Sequence, residues 1–240
     1  MIRFVLALCL SCAVAIASSN TVAQGQQRNL PSKDVADKRA KGLQYFEKGD
    51  IQRGYPLLRP LAESGDLAAQ SWVGLVLARS YIQRVLAKSG IPLGVYAEKN
   101  FSGIPHDPVK GLALIHQSAN ANHPQSMYFL AVLYAGGEGV DKNEKLSRKY
   151  VRQAANLGYL TAQLQMAHRL MRTDPAKSYK WYFIFSHCSK LGPRGDNRAF
   201  WESLRRIWLE NNIDRELFVP EGKKLIAAWE EKHGKLCLGR

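Results

Sequence analysis

Two stretches decide the fold: Ser118-Ala119-Asn120-Ala121-Asn122 and Ala154-Ala155-Asn156-Leu157-Gly158. Each reads as the alanine-rich end of a helix, closed three residues after its central alanine by Asn or Gly. Four residues beyond each closure stands another small residue, Ser126 or Ala162, and an apolar helical run follows. An earlier copy, Leu61-Ala62-Glu63-Ser64-Gly65, leads in the same way to Ala69. Ala119 and Ala155 are 36 positions apart; Ala62 and Ala119 are 57 apart, one such period plus a 21-residue insertion. A fixed period of this size marks a solenoid, in which each helix pair buries its apolar face only by stacking on the next. The sequence therefore predicts an all-α protein, an α-solenoid of paired antiparallel helices.

Working outward, the caps place the helices. One is expected from about Asp34 to Lys48 and a second from Gln52 to Ser64, with Pro60 expected to kink it. A third starts near Leu67 and reads as far as Lys88, where Ser89-Gly90-Ile91-Pro92 stops it. Residues 89–106 are an irregular insertion, rich in Gly and Pro, that interrupts the repeat. Asp107-Pro108 then opens a helix with an N-cap and a Pro at the first helical position. Further helices are expected over Pro124–Ala135, Asn143–Asn156, Leu160–Arg172 and Asp174–Cys188. After the break at Gly192-Pro193-Arg194-Gly195, two amphipathic helices, Asn197–Asn211 and Pro220–Lys232, read as a C-terminal helical cap, with their tryptophans turned into the core.

The N-terminus carries Arg3 and then an apolar run from Phe4 to Ile16, the size of a signal-peptide core and too short to span a bilayer. Residues 1–23 are read as a signal peptide, with Thr21-Val22-Ala23 as the cleavage site and Ala15-Ile16-Ala17 as the alternative. Residues 24–33 form a flexible leader, 34–190 the repeat solenoid and 191–240 the cap. No later stretch is apolar enough for a transmembrane segment in the mature chain, which is expected to be periplasmic or secreted. The formal charge of the whole chain is +14. Such a charge suits an anionic envelope polymer, anionic head groups or an acidic protein, or else only aids solubility. Cys188 and Cys237 survive cleavage. In an oxidising compartment they are a possible disulfide, stapling the tail to the last repeat; two free thiols are the alternative.

The pattern resembles the Sel-one-like repeats, relatives of the tetratricopeptide repeats. The match runs through Ser126, Leu130-Ala131, Tyr134, Gly137-Glu138-Gly139-Val140, Lys145, Tyr150, Ala154-Ala155 and Gly158. A second copy runs through Ala162, Met166-Ala167, Leu170, Asp174, Lys177, Tyr179 and Trp181-Tyr182, with a shorter turn. Asp107, Lys110, Ala119 and Asn122 match half a unit, and Ala62, Gly65, Ala69, Gly74 and Leu77 match one junction. The resemblance covers about residues 39–190. It implies a right-handed stack and a protein–protein scaffold or adaptor role, with no catalytic residue. The first helix of each unit usually lines the inner, concave face, which makes Trp72, Tyr128, Gln165 and Arg169 candidate partner contacts. Partial burial between units is the competing expectation for Trp72.

Other chemistry is sparse. Gly136-Gly137-Glu138-Gly139 lacks the Lys-Ser/Thr pair and the preceding strand of a phosphate loop, and reads as a repeat turn. His187-Cys188 with His233 and Cys237 offers two nitrogens and two sulfurs, but Gly234 interrupts the helix that would align the last two, so a disulfide is favoured over zinc. No catalytic, cofactor-binding or metal residue is assigned, and no nucleic-acid partner is expected. The expected function is an exported scaffold or adaptor for protein–protein interaction in a bacterial cell envelope or outside the cell. The alternative is a cationic module that binds peptidoglycan or another anionic envelope polymer.

Overall fold

In a computed structural model of the chain, the described residues are 32–90, 98–188, 206, 208, 210 and 215–233. The signal peptide, residues 24–31 of the leader, the tip of the insertion, most of the predicted 197–211 helix, the Cys188 side chain and the whole of Cys237 lie outside them. Every regular element among the described residues is helical: α1 Lys33–Glu47, α2 Ile51–Glu63, α3 Leu67–Leu77, α4 Arg79–Lys88, a 3-10 turn Glu98–Phe101, α5 Pro108–Asn120, α6 Pro124–Gly136, α7 Glu144–Asn156, α8 Leu160–Leu170, α9 Pro175–Cys188 and α10 Arg215–His233. The all-α expectation holds. The chain divides into two compact units, Met1–Tyr150 and Val151–Arg240.

The repeat is visible as a hydrogen-bond pattern at the helix corners. Gly65 N–H donates to Ala62 O (3.1 Å) and Asp66 N–H to Leu61 O (2.9 Å). Asn122 and His123 do the same to Ala119 and Ser118, and Gly158 and Tyr159 to Ala155 and Ala154. This is the Schellman ending, which needs one left-handed residue just past the helix. Gly65 (φ 96°), Asn122 (φ 64°) and Gly158 (φ 88°) supply it. A fourth copy, through Gly49 and Asp50 onto Phe46 and Tyr45, closes α1 onto α2. Asp50 and Asp66 then also serve as N-caps of the following helices, accepting from Arg53 N–H (3.2 Å) and Ala69 N–H (2.8 Å). One residue thus ends one helix and starts the next.

Side chains reinforce two of these corners in the same way. The Gln70 amide donates to Ala62 O at 3.3 Å, and the Gln163 amide donates to Ala155 O at 3.2 Å. At the corner between them the matching position is Met127. There Ser126 Oγ donates to Ser118 Oγ (2.9 Å), which donates to Leu67 O (2.8 Å).

In the first unit α3 is the central element, packed on α1, α2, α5 and α6. It is buried along most of its length, from Ala68 to Leu77, with Trp72 half-buried. Its crossing with α5 is built on two glycines. A methyl added to Gly74 would meet Gly111 O at 2.8 Å, and one added to Gly111 would meet Gly74 O at 2.6 Å. In the second unit α9 packs on α8 and α10. Tyr179, Trp208 and Phe218 form an aromatic cluster, with Trp208 and Phe218 at 5.1 Å edge to face, and Trp181 meets Trp229 at 6.3 Å. Trp208 and Trp229 are both buried.

Two helix expectations are corrected, at Ala78 and at the start of α10. The expected single helix from Leu67 to Lys88 breaks at Ala78. There the buried Arg79 guanidinium donates to Val76 O (3.2 Å) and to Pro105 O (2.8 Å) and Ile104 O (3.4 Å) of the insertion. The break lets one buried cation hold a local carbonyl and two distant ones. Helix α2, where a kink at Pro60 is expected, holds both Pro56 and Pro60 inside one element. Both prolines are exposed, so the carbonyls they leave without an amide donor face water. Helix α10 begins at Arg215 and runs through Pro220, five residues earlier than expected, because the added turn seats Phe218 against Trp208 and Tyr179.

Candidate partner-binding face

The first helices α1, α3 and α6 adjoin one another, α3 packing on both neighbours. A line of aromatic rings runs across them. Phe46 in the last turn of α1 meets Trp72 at 5.2 Å, and Trp72 meets Phe129 of α6 at 6.4 Å, edge to face. Phe46 and Phe129 are buried, while Trp72 keeps part of its surface exposed. A half-buried indole held between two rings is a rigid platform with little side-chain entropy left to lose on binding.

Tyr128, the neighbour of Phe129, is 6% exposed. It therefore belongs mainly to the core and offers a partner little surface. Gln165 and Arg169 lie one turn apart on α8 in the second unit. Gln165 is half-buried, with its carbonyl oxygen sequestered, and Arg169 is exposed. The structure thus joins Trp72 and Tyr128 on adjoining helices of one unit and pairs Gln165 with Arg169 on one helix of the other.

Polar groups gather at the corners beside the first helices. Arg39 Nε donates to Asp66 Oδ2 at 2.8 Å, while Asp66 Oδ1 caps α3. His123 Nδ1 lies 3.3 Å from Ser126 Oγ, which continues the serine chain to Leu67 O. Burial lowers the His123 imidazole to about 4; nearby Asp66 opposes this and Arg39 adds to it. The ring is therefore neutral at ordinary pH, and the corner carries one internal ion pair.

The glycine-rich turn is a packing device. Gly137 ends α6 in the left-handed conformation (φ 65°), and Gly139 lies against the Tyr81 ring. Glu138 is buried beside α4, where Arg84 Nε (2.5 Å) and Lys88 Nζ (2.6 Å) donate to its two oxygens. Burial disfavours the charge, but these two cations outweigh it and hold the carboxyl below its ordinary range. Its partners stand 54 and 50 residues away, and no sequence spacing announces them.

Among the described residues, no three His, Cys, Asp or Glu side chains come together as a metal site. No helix among them is long and apolar enough to cross a membrane.

Residues 96–123 and 124–159 match the family model of the Sel1 repeat. Residues 96–159 are thus similar to two Sel1 repeats. The boundary between the two copies falls between His123 and Pro124, where α6 begins. The second copy contains α6, the glycine turn, α7 and the Gly158 corner. The first Sel1 copy begins inside the insertion and takes in the 3-10 turn and α5. The chain is also 29% identical over 149 residues to an uncharacterized protein of Neisseria meningitidis serogroup B. That match covers 58% of this chain and 32% of the relative, so the chain spans about a third of the length of the curated relative it matches. Sel1 repeats generally mediate protein–protein interaction, and their family is one of non-catalytic helical scaffolds.

Proposed function

We propose that this protein is an exported, non-enzymatic scaffold that grips a protein partner on the first-helix face of its Sel1 repeats, in a bacterial envelope or outside the cell. The observation that carries the reading is the Phe46–Trp72–Phe129 line, a preorganised aromatic platform on first helices that adjoin the matched repeats. The helix pairs are taken to stack as a right-handed solenoid with α10 in a C-terminal cap, and Trp72, Tyr128, Gln165 and Arg169 to contribute to the concave contact surface. Export rests on the Arg3 and Phe4–Ile16 segment. The net charge of +14 favours a second reading, a cationic module on peptidoglycan or another anionic envelope polymer.

The test is in-cell crosslinking of the tagged protein, with capture and mass spectrometry at low and high salt. One or a few envelope proteins recovered at both salts is the expected result. Retention on cell-wall material only, lost at high salt, overturns the scaffold reading in favour of the polymer-binding one.

A further inference from the structure

Helix α7 carries cations that the fold leaves uncompensated. Lys142, on the turn that leads into it, and Lys145, Arg148 and Lys149 on the helix are all exposed. Elsewhere in the same unit several cations close on acids, Lys38 on Asp34, Arg39 on Asp66, Arg59 on Glu63, and Arg84 and Lys88 on Glu138, while the exposed Lys33, Lys41, Lys48 and Lys110 form no ion pair with a described residue. On α7 the same chance is present and unused. Glu144 stands four residues before Arg148, and Asp141 four before Lys145, yet none of the four cations pairs with a carboxylate among the described residues.

The arrangement costs helix stability. Lys145 faces Arg148 and Lys149 at spacings of three and four, where like charges destabilise a helix. The opposite face holds the helix in place. Ser147 is buried, Tyr150 stacks on Tyr134 at 5.9 Å, Asn143 N–H donates to Tyr134 O at 2.8 Å, and Asn143 Oδ1 caps Leu146 N–H at 3.0 Å. The cations are thus displayed on a fixed support.

We infer that Lys142, Lys145, Arg148 and Lys149 form a docking row for an acidic, extended segment of a protein partner. Lys145 and Lys149 stand about 6 Å apart along the helix axis. Carboxylates at alternate positions of an extended chain repeat at about 6.6 Å on one side, so one acid meets each turn of the helix. A lipid surface fits less well. Interfacial helices set large apolar residues beside their cations. The large exposed apolar residues among those described, Val109 and Leu157, both lie off the row. The row lies on a second helix of the repeat, separate from the Trp72 platform, and the inference rests on the partner-binding reading above.

The test uses the full chain and a short fluorescein-labelled peptide with glutamate at alternate positions, followed by fluorescence anisotropy. The variant Lys142→Gln, Lys145→Gln, Arg148→Gln, Lys149→Gln is compared with a charge-matched control, Lys33→Gln, Lys41→Gln, Lys48→Gln, Lys110→Gln. Thermal melts by circular dichroism show that both fold. The expected result is peptide binding that the row variant weakens about tenfold or more and the control leaves within about twofold. Equal losses in both variants, no peptide binding, or binding only to phosphatidylglycerol vesicles each overturns the inference. If the row variant still captures the cellular partner of the wild-type chain, the scaffold reading stands and the docking row falls.

Discussion

Gly74 and Gly111 face each other so closely that neither helix could carry a side chain at the crossing. A methyl on Gly111 would lie 2.5 Å from Ala78 N and 2.6 Å from Gly74 O. Alanine is the better helix former by about 1 kcal/mol, so an exposed Gly→Ala change would stabilise. Here the backbone, not a flexible side chain, is the obstacle. Gly111→Ala is expected to destabilise the chain by about 2 kcal/mol net, read from urea denaturation. An unchanged or raised midpoint would show that the helices separate freely at this point.

Glu138 joins the glycine turn to α4. With Arg84 and Lys88 donating to it, its carboxyl is held below the ordinary range. A depressed folded-state value adds stability that is present above the unfolded value of about 4.3 and is lost as pH falls through the folded one. Glu138→Gln is expected to cost about 1–2 kcal/mol at neutral pH and to reduce the loss of stability in acid. Parallel wild-type and variant pH profiles would refute this.

His123 acts in the same direction through a neutral rather than a charged form. Its imidazole is lowered to about 4, chiefly by burial. The neutral ring adds stability that is complete above the unfolded value of about 6.5 and drains as pH falls from there toward 4, where the folded ring charges. Over that window the wild type is expected to lose about 2–3 kcal/mol. His123→Asn, which puts a neutral polar side chain at the same N-cap position, is expected to flatten the profile between about pH 6.5 and 4.5. An unaltered slope would move the acid sensitivity to other groups.

Arg79 ties the insertion to the break between α3 and α4 through Pro105 O, Ile104 O and the Phe101 ring, 5.0 Å from its guanidinium. Arg79→Lys keeps the charge but loses the planar fork. Limited proteolysis is expected to cut the 98–106 segment faster in Arg79→Lys, and faster again in Arg79→Ala. Equal cutting in all three proteins would show that the segment is held by packing alone.

The proposal of export predicts that Cys188 and Cys237 are bonded to each other. Alkylation before mass measurement should label neither of them without reductant and both with it. Two labelled thiols without reductant would leave the tail unstapled.

The corners were legible in the sequence because the Schellman ending admits few residues at its left-handed position. Gly65, Asn122 and Gly158 announce it, and Asp107-Pro108 and Asp174-Pro175 announce helix starts by chemistry equally local. Contacts that join distant parts of the chain were not legible. The break at Ala78 depends on carbonyls of residues 104 and 105, and Glu138 on cations of α4. The early start of α10 depends on Phe218 finding Trp208. The resemblance to the repeat family placed Trp72 and Tyr128 on first helices but did not separate the half-exposed ring from the buried one.

The shared corners at Asp50 and Asp66 decide where such a chain is free to grow. With a single residue closing one helix and opening the next, an insertion there would remove a cap from both at once. The connection between α4 and α5 is not tied in this way, and residues 89–106 lie in it. New binding loops can thus be grafted between α4 and α5 while the corners at Asp50 and Asp66 stay fixed by their shared caps.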